Sequence, residues 1–267
     1  GKYYMNRDDK RLGNVLSKVL SGETKSGWHN SEERAPENFG TPLSSFKGVP
    51  DFVSDSNKLV FGRGGDYHQD NMLYKYNATA DGDSFHLTKR TSLVWDYTAY
   101  RIIGVDTFEK TYSNKYGEAA YDKAYQETGL SRHEMLALGK EAAWHVDQLF
   151  NQKRITLYRP KSGLKIGDRQ GAFAQVEVDG KKMDLGIYLA SRGLSMLRDG
   201  GENGGGTSHI ESILPSGMKK QDYIRAYREA EAFANKNRLG RFNLATHEDR
   251  MRRLRELRRL RSKHTPF

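Results

Sequence analysis

Four acidic residues and one arginine in the middle of the chain have the types and spacing of a phosphodiester-binding site. Asp81 and Asp83 flank a glycine in a predicted turn. Asp106 and Glu109 follow a predicted strand that contains Arg101. Carboxylates without a histidine or cysteine among them favour Ca²⁺ or Mg²⁺ over zinc. An arginine beside such acids suits a phosphodiester, because the guanidinium can contact oxygens that a metal ion leaves open.

The spacing also sets a geometric condition. An ideal strand places Arg101 and Asp106 on opposite faces, because side chains alternate along a strand. Both residues reach one site only if the strand bends or ends before Asp106, and Gly104 permits this. Without such a bend, the alternative interpretation is that these are solvated acids at hairpin turns.

Two motifs in this region carry a specific family resemblance. The first is Asp81-Gly82-Asp83-Ser84, and the second is the nine-residue run RIIGVDTFE from Arg101 to Glu109. Together they resemble the patterns DGDT and R-[LIV]-x-x-[VI]-D-T-P-E of the staphylococcal nuclease (thermonuclease) family. Weaker segments follow in the family order, so the resemblance covers about residues 72–244.

The resemblance implies a mostly β, α+β fold in which a five-stranded oligonucleotide-binding (OB) barrel carries about three helices. It also implies Ca²⁺-dependent cleavage of DNA and RNA, with Mg²⁺ or another divalent ion as the less favoured cofactor. By position, Asp83 and Asp106 resemble the Ca²⁺ ligands, together with the backbone carbonyl of Thr107. Glu109 resembles the residue that activates or orients the attacking water. Arg101 resembles one of two phosphate-binding arginines.

One segment departs from the family pattern. The family reads D-x-Y-G-R-x-L-A with its second arginine directly after the glycine, and here Ala172 stands in that place. Arg169 lies in the same turn and is the first candidate to replace the arginine from a shifted position, with Arg159 and Lys165 as weaker candidates. Because a transition-state arginine contributes several kcal/mol, its loss favours an alternative function. In that alternative the barrel is a catalytically impaired module that binds nucleic acid or a protein partner.

The surrounding pattern predicts the elements that must position these residues. β-type segments occupy residues 73–79, 84–89, 97–105, 154–158 and 172–178. The second of these alternates, which predicts that Phe85 and Leu87 share one face. Helical segments occupy residues 131–151, 183–192 and 221–237. Ser131 and Glu134 form a predicted capping box, and Gly193 is a typical residue just after a helix. We therefore predict a polar arm at residues 1–70, the nuclease-like domain at 71–245 and a basic helical tail at 246–267.

Composition limits the partners and the chemistry. The net charge of +10 favours polyanionic partners, with nucleic acid first and an anionic membrane surface second. The arginine-rich tail fits a phosphate-gripping arm, a helix packed on the domain or, less well, a membrane-surface helix. The absence of cysteine excludes disulfides, thiol catalysis and cysteine-ligated zinc. No stretch approaches the roughly 18 apolar residues of a membrane span.

The chain begins with glycine and has no apolar signal core. Because enzymes of the resembled type are often secreted, we expect a secreted or periplasmic protein.

Overall fold

The structure, a computed structural model, describes residues 66–91, 94–108, 124–150, 154–198 and 217–243. It also describes residues 45–46, 122, 207, 210, 214–215, 251–252, 254–256 and 258–259. For residues 75–80, 90–91 and 94–96 it describes the backbone alone. Among the predicted site residues, Glu109 lies outside these ranges.

Five strands close into a barrel. Within the described residues the strands are β1 Tyr67–Asp81, β2 Ser84–Thr91, β3 Val94–Ile102, β4 Val105–Asp106, β5 Arg154–Pro160, β6 Lys165–Ile166, β7 Arg169–Val178, β8 Lys181–Asp184 and β9 Met196–Leu197. Antiparallel pairing joins β3, β2, β1, β5 and β7 in that order. A parallel pairing of β3 with β7 closes the barrel. The predicted α+β class with an OB-fold-like barrel is therefore confirmed.

The helices lie around this barrel. The described residues include α1 Arg132–Phe150, α2 Leu185–Ser191, α3 Lys220–Lys236 and a 3₁₀ turn, Gly240–Phe242. The predicted capping box is present at the start of α1. The Glu134 N–H donates to Ser131 Oγ at 3.2 Å, and the Ser131 N–H donates to Glu134 Oε1 at 3.3 Å. These bonds satisfy two backbone donors and explain why the helix begins at residue 132.

The last residue of α1 packs against aromatic side chains of β1 and β2. The Phe150 ring contacts the Phe85 and Tyr74 rings edge-on, with centroid separations of 4.9 Å and 5.6 Å. Phe85 and Leu87, predicted to share a face of β2, are both buried. The alternation read from the sequence thus identifies the side of β2 that forms the core.

Two element boundaries differ from the sequence prediction. β1 begins at Tyr67, so the predicted domain boundary at residue 71 falls inside this strand. Met183, predicted to begin a helix, pairs with Val176 in the β7–β8 hairpin. α2 begins only after Asp184, because the Asp184 carboxylate accepts a hydrogen bond from the Ile187 N–H at 2.9 Å. The described residues of the predicted basic tail, between 251 and 259, are helical.

Two glycines form a junction between the end of α2 and the turn after α3. Gly193 and Gly240 have φ values of 69° and 54°, which favour glycine. A Cβ at Gly193 would lie 2.2 Å from the Leu239 carbonyl oxygen, and a Cβ at Gly240 would lie 2.5 Å from the Arg192 carbonyl oxygen. The Arg241 N–H donates to the Gly193 carbonyl at 3.0 Å. This Gly193–Gly240 junction fixes the segment that leads into β9.

His145 is a buried, uncharged residue between two helices. It lies on α1, and its Nδ1 is 2.8 Å from the Tyr188 hydroxyl on α2. Burial, assisted by the charge of Arg192, lowers the pKa of His145 to about 3. In the unfolded chain the pKa of a histidine is about 6.5. Folding therefore excludes a proton that the unfolded chain binds in mildly acidic solution.

This difference predicts a loss of stability in acid that is specific to His145. Below about pH 6.5 the unfolded chain gains a proton at His145 and the folded chain does not. Between about pH 7.5 and pH 5 the linkage lowers the free energy of unfolding by about 2 kcal/mol. We expect His145→Gln, which keeps a hydrogen-bonding side chain, to lack this component. Urea unfolding of both proteins at the two pH values measures it, and equal losses in both would contradict the assignment.

Candidate metal and phosphate site

The turn between β1 and β2 places Asp83 beneath α1. A Cβ at Gly82 would lie 2.7 Å from the Cβ of Ala142, so the glycine lets α1 close over the turn. Asp83 is 4% exposed. Its carboxylate accepts hydrogen bonds from the Ser84 hydroxyl and the Thr107 N–H, both at 2.9 Å. The turn therefore presents a buried, hydrogen-bonded carboxylate.

The chain bends between β3 and β4, as the sequence spacing requires. β3 ends at Ile102, and Gly104 has a φ of 76°, which favours glycine. Before the bend, β3 pairs with β2. After the bend, β4 pairs with β9, where Asp106 lies opposite Met196. Arg101 and Asp106 consequently reach the same site despite their odd spacing.

Arg101 connects the two acids. Its Nη2 lies 2.9 Å from Asp106 Oδ1 and 3.3 Å from Asp83 Oδ2. Its Nη1 donates to the carbonyls of Ile102 and Val105, at 3.2 Å and 2.6 Å. The side chain is buried, and its two terminal nitrogens already contact four oxygens. Arg101 therefore positions Asp83 and Asp106 in this structure; we call these three residues the Asp83–Arg101–Asp106 cluster.

The two acids have opposite pKa shifts. Burial acts to raise the pKa of Asp83, but the Arg101 charge and the bonds from Thr107 and Ser84 bring it below its usual value. Burial and the negative charge of Asp83 raise the pKa of Asp106 to about 6, against the opposing charges of Arg101 and Arg198. This is the behaviour of two carboxyls close enough to resist carrying full charge together. A divalent cation would relieve that repulsion.

The donor atoms fit a hard divalent cation. Asp83 and Asp106 supply carboxylate oxygens, and the Asp106 side chain is 44% exposed. The Thr107 hydroxyl is buried and has no hydrogen-bond partner among the described residues. No group of three or more His, Asp or Glu side chains suited to a metal occurs in the part of the chain that the structure describes. The protein would thus supply two carboxylates and one oxygen of Thr107, the backbone carbonyl that the resemblance implies or the unpaired hydroxyl. Water would supply the remaining ligands, as Ca²⁺ and Mg²⁺ allow.

Arg169 lies at the same site. It begins β7, which runs parallel to β3, and its Nη1 is 2.5 Å from Ser84 Oγ. The same hydroxyl donates to Asp83, so Arg169 is linked to the cluster through one side chain. The guanidinium has five N–H donors in all. The structure thus brings the predicted substitute arginine to the acids.

Ala172, which stands where the resembled family has its second arginine, lies on β7. Ala172 is fully buried and pairs with Ile102, whereas Gly171 pairs with Arg101. Ala172 belongs to the hydrophobic core. A Cβ at Gly171 would lie 3.1 Å from Leu164 side-chain atoms. An arginine at residue 172 would therefore point into the core.

One residue near the acids was missed in the sequence. Arg198 directly follows β9, and its N–H donates to the Gly104 carbonyl at 2.9 Å. Its charge acts on Asp106. No motif marks Arg198, because its proximity depends on the long-range pairing of β4 with β9. Glu109 follows Phe108, the last described residue before the gap, so its predicted role stays a prediction.

Neither a protein-family model nor a curated protein sequence matches the chain. The nuclease-family resemblance therefore stays a hypothesis carried by the two motifs. Within the described parts of the chain, every helix is too short or too polar to pass through a bilayer.

Proposed function

We propose that this chain is a metal-dependent nuclease that hydrolyses phosphodiester bonds of DNA or RNA with little sequence preference. The Asp83–Arg101–Asp106 cluster carries the proposal. It joins two carboxylates through a buried arginine, beside the start of β7 in an OB-fold-like barrel. Such a fixed arrangement of charge is what electrostatic catalysis requires. The net charge of +10 supports a polyanionic substrate.

The metal-binding residues in this proposal are Asp83, Asp106 and the carbonyl of Thr107, with Ca²⁺ favoured over Mg²⁺. When bound, the ion supplies positive charge at the phosphoryl oxygens. Arg101 holds the two carboxylates at a fixed separation through its contacts with both. The cluster is thus arranged before substrate arrives.

The remaining roles belong to residues beside the cluster. Arg169 offers the N–H groups that Ser84 does not use to a phosphate oxygen. Glu109, by its place in the motif, orients the attacking water and accepts its proton.

One observation favours a second function, nucleic-acid binding without cleavage. Ala172 stands where the resembled family has its second arginine, and it is fully buried. A phosphate contact is therefore missing unless Arg169 supplies it. In this alternative the acids are structural partners of Arg101, and Glu109 has no catalytic role.

A cleavage assay separates these functions. Single-stranded DNA, double-stranded DNA and RNA would each be incubated with the protein in Ca²⁺, Mg²⁺ or chelator. We expect Ca²⁺-dependent cleavage that falls about 10²- to 10⁴-fold in Glu109→Gln, because this change removes a general base and keeps its shape. Glu177→Gln is the matched control. Glu177 is exposed and pairs with Lys182, about 25 Å along β7 from Arg169.

Two results would contradict the proposal. Cleavage that survives in chelator would show that the reaction needs no metal ion. No cleavage under any condition, with salt-sensitive binding equal in Glu109→Gln and wild type, would favour the binding module.

A further inference from the structure

Arg198 lies on the same side of the chain as Asp106. In the β4–β9 pair, Val105 lies opposite Leu197 and Asp106 lies opposite Met196. The bond from the Arg198 N–H to the Gly104 carbonyl continues this pairing by one residue. Arg198 is therefore the diagonal neighbour of Asp106, at a separation of about 7–8 Å that a long side chain spans. Val105 and Leu197 face the other side of the pair; Val105 lies in the core and Leu197 packs against it.

The three arginines near the acids differ in how many contacts their guanidinium groups already make. The terminal nitrogens of Arg101 contact four oxygens of its own surroundings. Arg169 contacts Ser84. Arg198 is partly exposed, and among the described residues its guanidinium has no hydrogen-bond or ion-pair partner. An arginine next to an open carboxylate, with its donors unused, is available to a ligand.

We propose that Arg198 is a substrate-binding residue that grips a backbone phosphate of single-stranded nucleic acid beside Asp106. This inference rests on the proposed function and deepens it. Arg101 and Arg169 approach the acids from β3 and β7, and Arg198 approaches from β9, so the phosphate lies between Arg198 and the acids. Arg198 thereby supplies, from another strand, a phosphate contact in addition to that of Arg169. Its guanidinium donates two N–H groups to the phosphate oxygens.

Binding of a phosphorothioate-linked oligothymidylate, whose linkages resist hydrolysis, tests this inference. Fluorescence anisotropy in Ca²⁺ would be recorded between about 50 and 200 mM salt, together with the cleavage rate on ordinary single-stranded DNA. We expect Arg198→Met to weaken binding about tenfold and to lower the salt slope by about 0.7, the value for one lost phosphate contact on a single strand. Arg198→Lys should keep the slope and lose part of the affinity, because it retains the charge without the paired donors.

Arg154→Met is the control, since Arg154 is exposed on β5. Arg154 pairs with Leu73 on β1, and the same row of paired residues crosses β2 and reaches Tyr97 on β3. Tyr97 lies about 13 Å along β3 from Arg101, so Arg154 is remote from the cluster. Wild-type affinity and slope in Arg198→Met would overturn the inference while leaving the nuclease proposal intact. Wild-type binding without cleavage would end the nuclease proposal, and the Arg198 variants would still decide the phosphate contact. A wild-type protein that neither binds nor cleaves would overturn both.

Discussion

Replacing Arg101 with methionine is expected to lower the free energy of unfolding by about 3–5 kcal/mol and to abolish cleavage. The substitution leaves Asp83 buried without the cation that balances its charge. It also removes the link between Asp83 and Asp106, so that the carboxylates repel each other without a fixed separation. The loss of stability follows from burial, and the loss of cleavage follows from the altered spacing.

Asp83→Asn, alone and combined with Arg101→Met, tests whether the loss of stability comes from the interaction between Asp83 and Arg101. If the two charges act on each other, the double variant should lose about 1–3 kcal/mol less than the sum of the single losses. If the proposed function holds, it should remain inactive, because Asp83 is the proposed metal ligand. Arg225→Met is the control, since Arg225 and Asp222 form an ion pair whose side chains are 71% and 48% exposed, and such pairs contribute about 1 kcal/mol or less. An Arg101→Met loss no larger than that of Arg225→Met would show that the cluster does not support the fold.

The second large effect is expected at the Gly193–Gly240 junction. Gly193→Ala should cost about 4 kcal/mol or more, because its Cβ would lie 2.2 Å from the Leu239 carbonyl oxygen. The opposing atom belongs to the backbone, so no side-chain rotation can relieve the overlap. The chain must separate at the junction or fail to fold.

A control with the same backbone conformation separates the cost of the atomic overlap from the cost of the left-handed conformation. Gly167 has a φ of 65°, close to the 69° of Gly193, and nothing lies within 4 Å of a Cβ built there. Gly167→Ala should therefore cost only the left-handed conformation, about 1–2 kcal/mol. Thermal and urea unfolding of both variants measure the difference. Equal costs would mean that the close approach at Gly193 has no energetic importance.

Local signals in the sequence predicted much of this fold. Ser131 and Glu134 marked the start of α1, alternation marked the buried face of β2, and Asp81–Ser84 marked the turn that holds Asp83. These features depend on neighbours within a few residues, so the sequence contains them directly. The requirement for a bend at Gly104 was also predictable, because strand geometry forbids Arg101 and Asp106 from sharing a face without one.

The features that sequence reasoning missed depend on distant partners. Ala172 is buried where β7 closes on β3, and a motif comparison contains no information on that burial. Arg198 lies near Asp106 only because β9 pairs with β4. Met183 extends a hairpin because the Asp179–Gly180 turn returns the chain onto β7.

The Gly193–Gly240 junction also affects when the carboxylate pair is aligned as the chain is synthesised. β9 aligns β4, and with it Asp106, and the segment entering β9 is held by the backbone around residue 240. A growing chain that has passed Asp106 already contains the motif acids but lacks the strand that aligns them. The carboxylate pair is therefore assembled only after α3 has emerged and docked. If the chain cleaves nucleic acid, this order keeps it inactive until almost the whole barrel and its helices have left the ribosome.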